Sequence, residues 1–218
     1  MQRGLFITFE GSEGCGKSTQ IGRLCLWLED LKVPFILTRE PGGTPIGEEI
    51  RNLVQFSKSG NAMTPETELL LFTASRAQLV REVIEPALLS GTLVVADRFL
   101  DSTTVYQGVA RKIEAATVKM INDFAAGGCI PDITFVLDLD RETARERLGH
   151  RPPPPGGVDR MEQQSPEFYE NVRAGYLKLA ASEPGRVRLI DASKSIDGIE
   201  KEIRAHLQAM LNPEKLKT

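Results

Sequence analysis

A glycine-rich turn set between an apolar run and a helical pattern restricts this chain's fold more than any other stretch. Gly11-Ser12-Glu13-Gly14-Cys15-Gly16-Lys17-Ser18-Thr19 fits the phosphate-loop spacing G-x-x-x-x-G-K-[ST]. Leu5 to Phe9 before it reads as a buried strand, and Ile21, Leu24, Cys25 and Leu28 after it recur at helical spacing. Such a turn lets backbone N–H groups wrap a phosphate at the positive end of the helix. Lys17 then reaches the outer phosphates of a nucleoside triphosphate, and Ser18 stands where it can ligate the Mg²⁺ that travels with them. A glycine turn matching by chance has no reason to carry Lys-Ser between a strand and a helix. Glu13 is the misfit, a carboxylate inside an anion-binding loop.

Further apolar runs lie at 35–37, 93–96, 133–137 and 187–190, continuous rather than alternating, as in strands buried on both faces. Helical patterns separate them at 17–31, 44–57, 66–89, 114–126, 140–148, 168–179 and 196–210, and Pro86 is expected to bend or end the third. The alternation predicts an α/β fold, a five-stranded parallel sheet with helices on both faces. The 218 residues suit one domain over 1–218. One segment, 147–160, breaks the pattern with Pro152-Pro153-Pro154-Pro155-Gly156-Gly157 between Arg147, Arg151 and Arg160. It reads either as a surface loop or as a short lid carrying arginines to a phosphate.

A net charge of −3 argues against nucleic-acid binding by charge alone. No apolar run approaches the ~20 residues of a membrane span. Met1 to Gly4 run directly into the first strand, which leaves no room for a leader and points to the cytoplasm. Cys15, Cys25 and Cys129 are unpaired in spacing and suggest reduced thiols. Cys15 reads as a small residue at a loosely specified loop position, or else as a redox-sensitive thiol.

Three other stretches carry chemistry. Val94-Val95-Ala96-Asp97-Arg98 ends an inner strand, where ligands of open α/β sheets sit. Asp97 can hold Mg²⁺ through water and Arg98 can grip a phosphate, unless the two simply pair at the strand end. Phe72 and Arg76 share a helix face, suiting a nucleobase that stacks on the ring and is bonded at its edge; alone, Phe72 also suits the core. Thr103 and Gln107, four apart if helical, offer uncharged groups to a base edge or act only as caps.

Together these residues resemble the bacterial thymidylate kinases nearly end to end. The resemblance rests on Phe9 to Ser18, on Thr38-Arg39-Glu40-Pro41-Gly42-Gly43-Thr44 and on Gly47 to Arg51. It continues through Leu71 to Arg76 and Asp97-Arg98-Phe99 to Tyr106-Gln107-Gly108. It implies transfer of the ATP γ-phosphate to dTMP, with Gly11 to Thr19 holding ATP and with Ser18 and Asp97 serving Mg²⁺. Phe72 would stack on thymine while Arg76, Thr103 and Gln107 bond its edge. Arg51 and Arg98, with Arg39 a weaker candidate, would hold the dTMP phosphate. Tyr106 would crowd the 2′ side of the sugar, and Glu13 would meet its 3′-hydroxyl. Lys17, Arg98 and the lid residues Arg151 and Arg160 would be catalytic. The family is typically homodimeric. Phe99 stands where tyrosine is commoner, and four consecutive prolines are unusual for the lid. Kinases of UMP, CMP or AMP, and a P-loop switch, are the rival classes; no N-K-x-D follows the P-loop to favour a guanine switch.

Overall fold

The computed structural model describes residues 3–57, 62–149 and 160–211. Five parallel strands form one sheet: β1 (Phe6–Glu10), β2 (Phe35–Arg39), β3 (Leu93–Asp97), β4 (Ile133–Asp138) and β5 (Val187–Asp191), in the order β2-β3-β1-β4-β5. Around them wind α1 (Lys17–Asp30), α2 (Pro45–Phe56), α3 (Pro65–Leu79), α4 (Glu85–Leu89), α5 (Leu100–Thr103), α6 (Ala115–Ala126), α7 (Arg141–Gly149), α8 (Pro166–Ser182) and α9 (Ile196–Gln208).

Period-two alternation divides the strands between two faces. Ile7, Phe9, Leu93, Val95, Ile133, Phe135 and Leu137 pack under α1 and α9 with Leu24, Leu28, Ile199 and Ile203. Phe6, Val94 and Ala96 turn the other way, onto Leu79, Ile84 and Leu88. Val136 meets Val172, Tyr176 and Leu179 of α8 on that second face. The expectation of strands buried on both faces holds for β1, β3 and β4. It fails at the edges, where Leu37 of β2 is 53% and Leu189 of β5 43% exposed, because an edge strand has a neighbour on one side only.

The caps follow the sequence. Thr44, Thr64, Ser165 and Ser195 each accept the backbone N–H three residues on, starting α2, α3, α8 and α9. Pro86 does not end its helix. Between α3 and α4 a π-turn, Val80–Ile84, carries the chain forward, with Glu85 N–H bonded to the Val80 carbonyl. The wider turn comes just where a proline ring would crowd the carbonyl four residues back. A second π-segment, Thr104–Ala110, follows α5 without a break. It makes the stretch bearing Thr103, Tyr106 and Gln107 helical and brings all three to one cleft.

Candidate active site

The strands all point their carboxyl ends at one cleft of about 710 Å³. β1 delivers the phosphate loop to it. Gly16 caps α1 at φ 97°, and Gly11 sits at φ 134°, where a Cβ would come 2.6 Å from the Leu137 carbonyl oxygen; both positions require glycine. Cys15 is fully buried, its Sγ 2.9 Å from that same would-be Cβ, so its place is tightly specified rather than loose. Lys17 Nζ donates to the Gly11 and Ser12 carbonyls (3.0 and 2.9 Å), holding its charge inside the loop. Ser18 and Thr19 are exposed at the cleft wall.

β3 brings Asp97 and Arg98. Asp97 Oδ1 is buried and has no hydrogen-bond partner among the described residues. A carboxylate oxygen left so costs free energy until a donor or cation meets it, and a hydrated divalent ion held with Ser18 fits that need. Arg98 turns back at φ 70°, a left-handed conformation costly for a non-glycine residue. The turn points its guanidinium at Glu13 (Nη2 to Oε1, 2.6 Å), Ser102 Oγ (3.1 Å) and the Tyr106 ring (5.2 Å to the centroid). The misfit carboxylate of Glu13 is thus paired. Burial opposes its ionisation, but Arg98 and Lys17 hold its pKa below the usual range. Tyr106 Oη donates to it as well, at 3.2 Å, and burial drives that phenol well above its ordinary pKa.

Phe72 of α3 is half-buried and lines the cleft, belonging to none of the apolar clusters. Arg76, one helical turn on, is buried, its Nε and Nη2 bonded to Glu40, its Nη2 to Thr103 and its Nη1 to Asn122. Gln107 Nε2 donates to Glu68 Oε1 at 2.8 Å. Arg51 Nη1 bonds the Pro41 carbonyl (2.9 Å), and Arg39 pairs with both oxygens of Glu48. Both arginines line the same cleft.

The model of the family described as thymidylate kinase matches residues 9–203. Curated relatives include the thymidylate kinases of Dehalococcoides mccartyi, 46% identical over 95% of this chain and 97% of that one, and of Leifsonia xyli, 47% identical over 94% of each. The solved structure of thymidylate kinase from Ehrlichia chaffeensis superposes with a TM-score of 0.75 at 33% identity, covering 94% of this chain and 99% of the other. The chain belongs to the thymidylate kinase family.

Arg151 and the proline run lie outside the described residues. Arg160 does not line the cleft, which corrects its expected place at the phosphates. Its Nη2 is bonded to Glu68 Oε2 at 2.6 Å and its Nε to the Val54 carbonyl at 3.0 Å, so its guanidinium is taken up by α2 and α3. Arg147 does line the cleft, donating to the Ala192 carbonyl at 3.1 Å, beside Lys194 and Ile196 from the turn after β5.

Several carboxylates that organise the site carry no signal in the periodicity. Glu10, fully buried at the end of β1, accepts from Phe99 N–H (2.9 Å), Ser102 N–H and Oγ, and Tyr176 Oη (2.7 Å), pinning the turn that carries Arg98. Burial raises its pKa against the pull of Arg98. Glu40 is likewise pushed up by burial while Arg76 pulls it down. Glu68 joins Gln107, Arg111 and Arg160. Glu10 and Glu40 stand inside the Phe-Glu-Gly and Arg-Glu-Pro motifs, which were the one available clue. Phe99 fills its site as an apolar ring, edge-on to Phe6 at 4.9 Å, and has no need of a tyrosine hydroxyl.

Proposed function

We propose that this chain transfers the γ-phosphate of ATP to dTMP, releasing dTDP and ADP. One observation carries the reading: a single cleft is lined at once by the phosphate loop and by a second cationic set, Arg51 and Arg98, together with Phe72, Arg76, Thr103 and Gln107. A protein that only bound and signalled through a triphosphate has no use for that second set. Backbone N–H groups of Gly11 to Thr19 and Lys17 hold the donor phosphates. Ser18 directly, and Asp97 through water, would hold Mg²⁺, which when bound neutralises charge developing between the phosphates. Arg98 and Arg51 hold the acceptor phosphate, with Arg39 at the rim.

The chemistry asks little of an acid or base. A phosphate monoester is largely ionised at neutral pH, so its oxygen attacks the γ-phosphorus in line without a general base and without a covalent enzyme intermediate. What the residues supply is position and positive charge. Lys17, Arg98 and a lid arginine, Arg151, offset the repulsion of the two anions, while Arg160 anchors the lid's end. Glu13 keeps acceptor capacity beyond its bonds to Arg98 and Tyr106 and takes the 3′-hydroxyl of the deoxyribose. Tyr106 stands where a 2′-hydroxyl would be crowded. We read residues 1–218 as one kinase domain with a lid at about 147–160, working in the cytoplasm as a homodimer. A coupled assay across dTMP, dUMP, UMP and AMP tests the reading: dTMP should be the preferred acceptor, and preference for a ribonucleotide would overturn it.

A further inference from the structure

The guanidinium of Arg76 carries five N–H donors, and the described residues take four of them. Nε donates to Glu40 (2.9 Å). Of the Nη2 hydrogens, one goes to Glu40 Oε2 (2.5 Å) and one to Thr103 Oγ1 (3.0 Å), and Nη1 gives one to Asn122 Oδ1 (2.6 Å). One hydrogen is left, on Nη1. Arg76 is 1% exposed, yet it lines the cleft, with its Cζ 5.2 Å from the centre of the Phe99 ring. A buried guanidinium with one hydrogen to give has use for one acceptor and penalises a donor in its place.

Asn122 restrains the guanidinium from the Nη1 side. It comes from α6 and does not itself line the cleft. Its Nδ2 donates to the Leu100 carbonyl (3.2 Å) and to Thr104 Oγ1 (3.3 Å), which turns Oδ1 towards Arg76. We propose that Asn122 is a positioning residue for base recognition: by taking one Nη1 hydrogen it aims the other at position 4 of the acceptor pyrimidine, so that a 4-oxo base is selected over a 4-amino base. The inference rests on the reading of Arg76 as the base-edge contact. Against a 4-oxo base the free N–H meets a carbonyl. Against a 4-amino base it meets another donor, and the guanidinium, held on three sides, has no way to turn aside. Without Asn122 one of the three restraints is gone and the planar guanidinium is freer to tilt away from a mismatched donor, so the built-in repulsion relaxes.

The test compares kcat/KM for dTMP and dCMP, together with KM for ATP, in the wild type and in Asn122→Ala, Asn122→Asp and Arg76→Lys. Asn122→Ala should lower the dTMP-over-dCMP ratio by about tenfold or more while KM for ATP stays within about twofold. Asn122→Asp keeps an acceptor for Nη1 and should restore most of the ratio. An unchanged ratio in Asn122→Ala, with a collapsed one in Arg76→Lys, overturns the inference and leaves the base-edge reading standing. An unchanged ratio in both overturns the base-edge reading itself. A ratio in Asn122→Asp as low as in Asn122→Ala also counts against the inference. Should Asn122→Ala fail to fold, Asn122→Ser, too short to reach Nη1, replaces it with the same expectations.

Discussion

Replacing Arg98 by alanine and, separately, by glycine divides what its guanidinium does from what its backbone costs. Both variants lose the same side chain, with its bonds to Glu13 and Ser102 and its approach to Glu10 at 3.9 Å. Both should therefore lose a similar share of catalysis. Removing one preorganised charge contact at a phosphoryl-transfer site costs roughly 3–4 kcal/mol, or ~10²–10³ in kcat/KM for dTMP. Their stabilities should differ. At φ 70° a residue with a Cβ bears roughly 1–2 kcal/mol that glycine escapes, while glycine gives back roughly 0.4–1 kcal/mol through its freer unfolded chain. The net is about 1 kcal/mol in favour of Arg98→Gly, a melting temperature about 2–4 °C above that of Arg98→Ala for a chain of this size. Calorimetry reads the second quantity and a coupled assay the first. Near-full turnover in either variant would refute the phosphate role. An Arg98→Ala protein as stable as Arg98→Gly would refute the account of backbone strain.

Three other outcomes follow from the geometry. Glu13→Ala should raise KM for dTMP by about tenfold, far more than KM for ATP, because it removes a sugar acceptor and frees Arg98 at once; equal effects on both substrates would contradict this. Asp97→Asn should raise the Mg²⁺ concentration needed for half-maximal rate by about 10–100-fold, the usual cost of losing a carboxylate that holds a metal through water; an unchanged Mg²⁺ dependence would remove Asp97 from the site. Burial opposes ionisation of Glu68, but Arg111, Gln107 and Arg160 outweigh it and lower its pKa below the ordinary 4.5. The unfolded state then binds more protons than the folded one below that pH, so the stability is present above about 4.5 and is lost as pH falls through the lowered value. Urea midpoints measured from pH 6 to pH 3 should fall less steeply in Glu68→Gln than in the wild type, and identical slopes would refute the linkage.

The sheet and the phosphate loop were legible because their signals are local. A glycine at positive φ, a lysine and a serine within nine residues describe one turn, and continuous apolar runs describe strands with no solvent face. Arg98 and Asp97 were legible for the same reason, as charges at the end of such a run. Arg160 was misread because its partner Glu68 lies 92 residues away and has no periodic mark. Nothing in the sequence around Asn122, Glu68 and Tyr176 marks them, and only the packing of α3, α6 and α8 against the turn after β3 gives them partners. The π-turns at Val80–Ile84 and Thr104–Ala110 were not readable, since a widened turn changes helix phase without changing composition. Motif resemblance reached residues that line the cleft. It stopped short of the carboxylates and the amide that hold them.

The measurement that tests the central claim most directly is the initial rate of phosphate transfer from ATP with dTMP, dUMP, UMP and AMP offered separately at equal concentration. A cleft that joins the phosphate loop to Arg51, Arg98 and the Phe72–Arg76 wall predicts fastest turnover with dTMP, with both ribonucleotides well behind. Tight ATP binding with transfer to none of the four, or a faster rate with UMP or AMP, would contradict it.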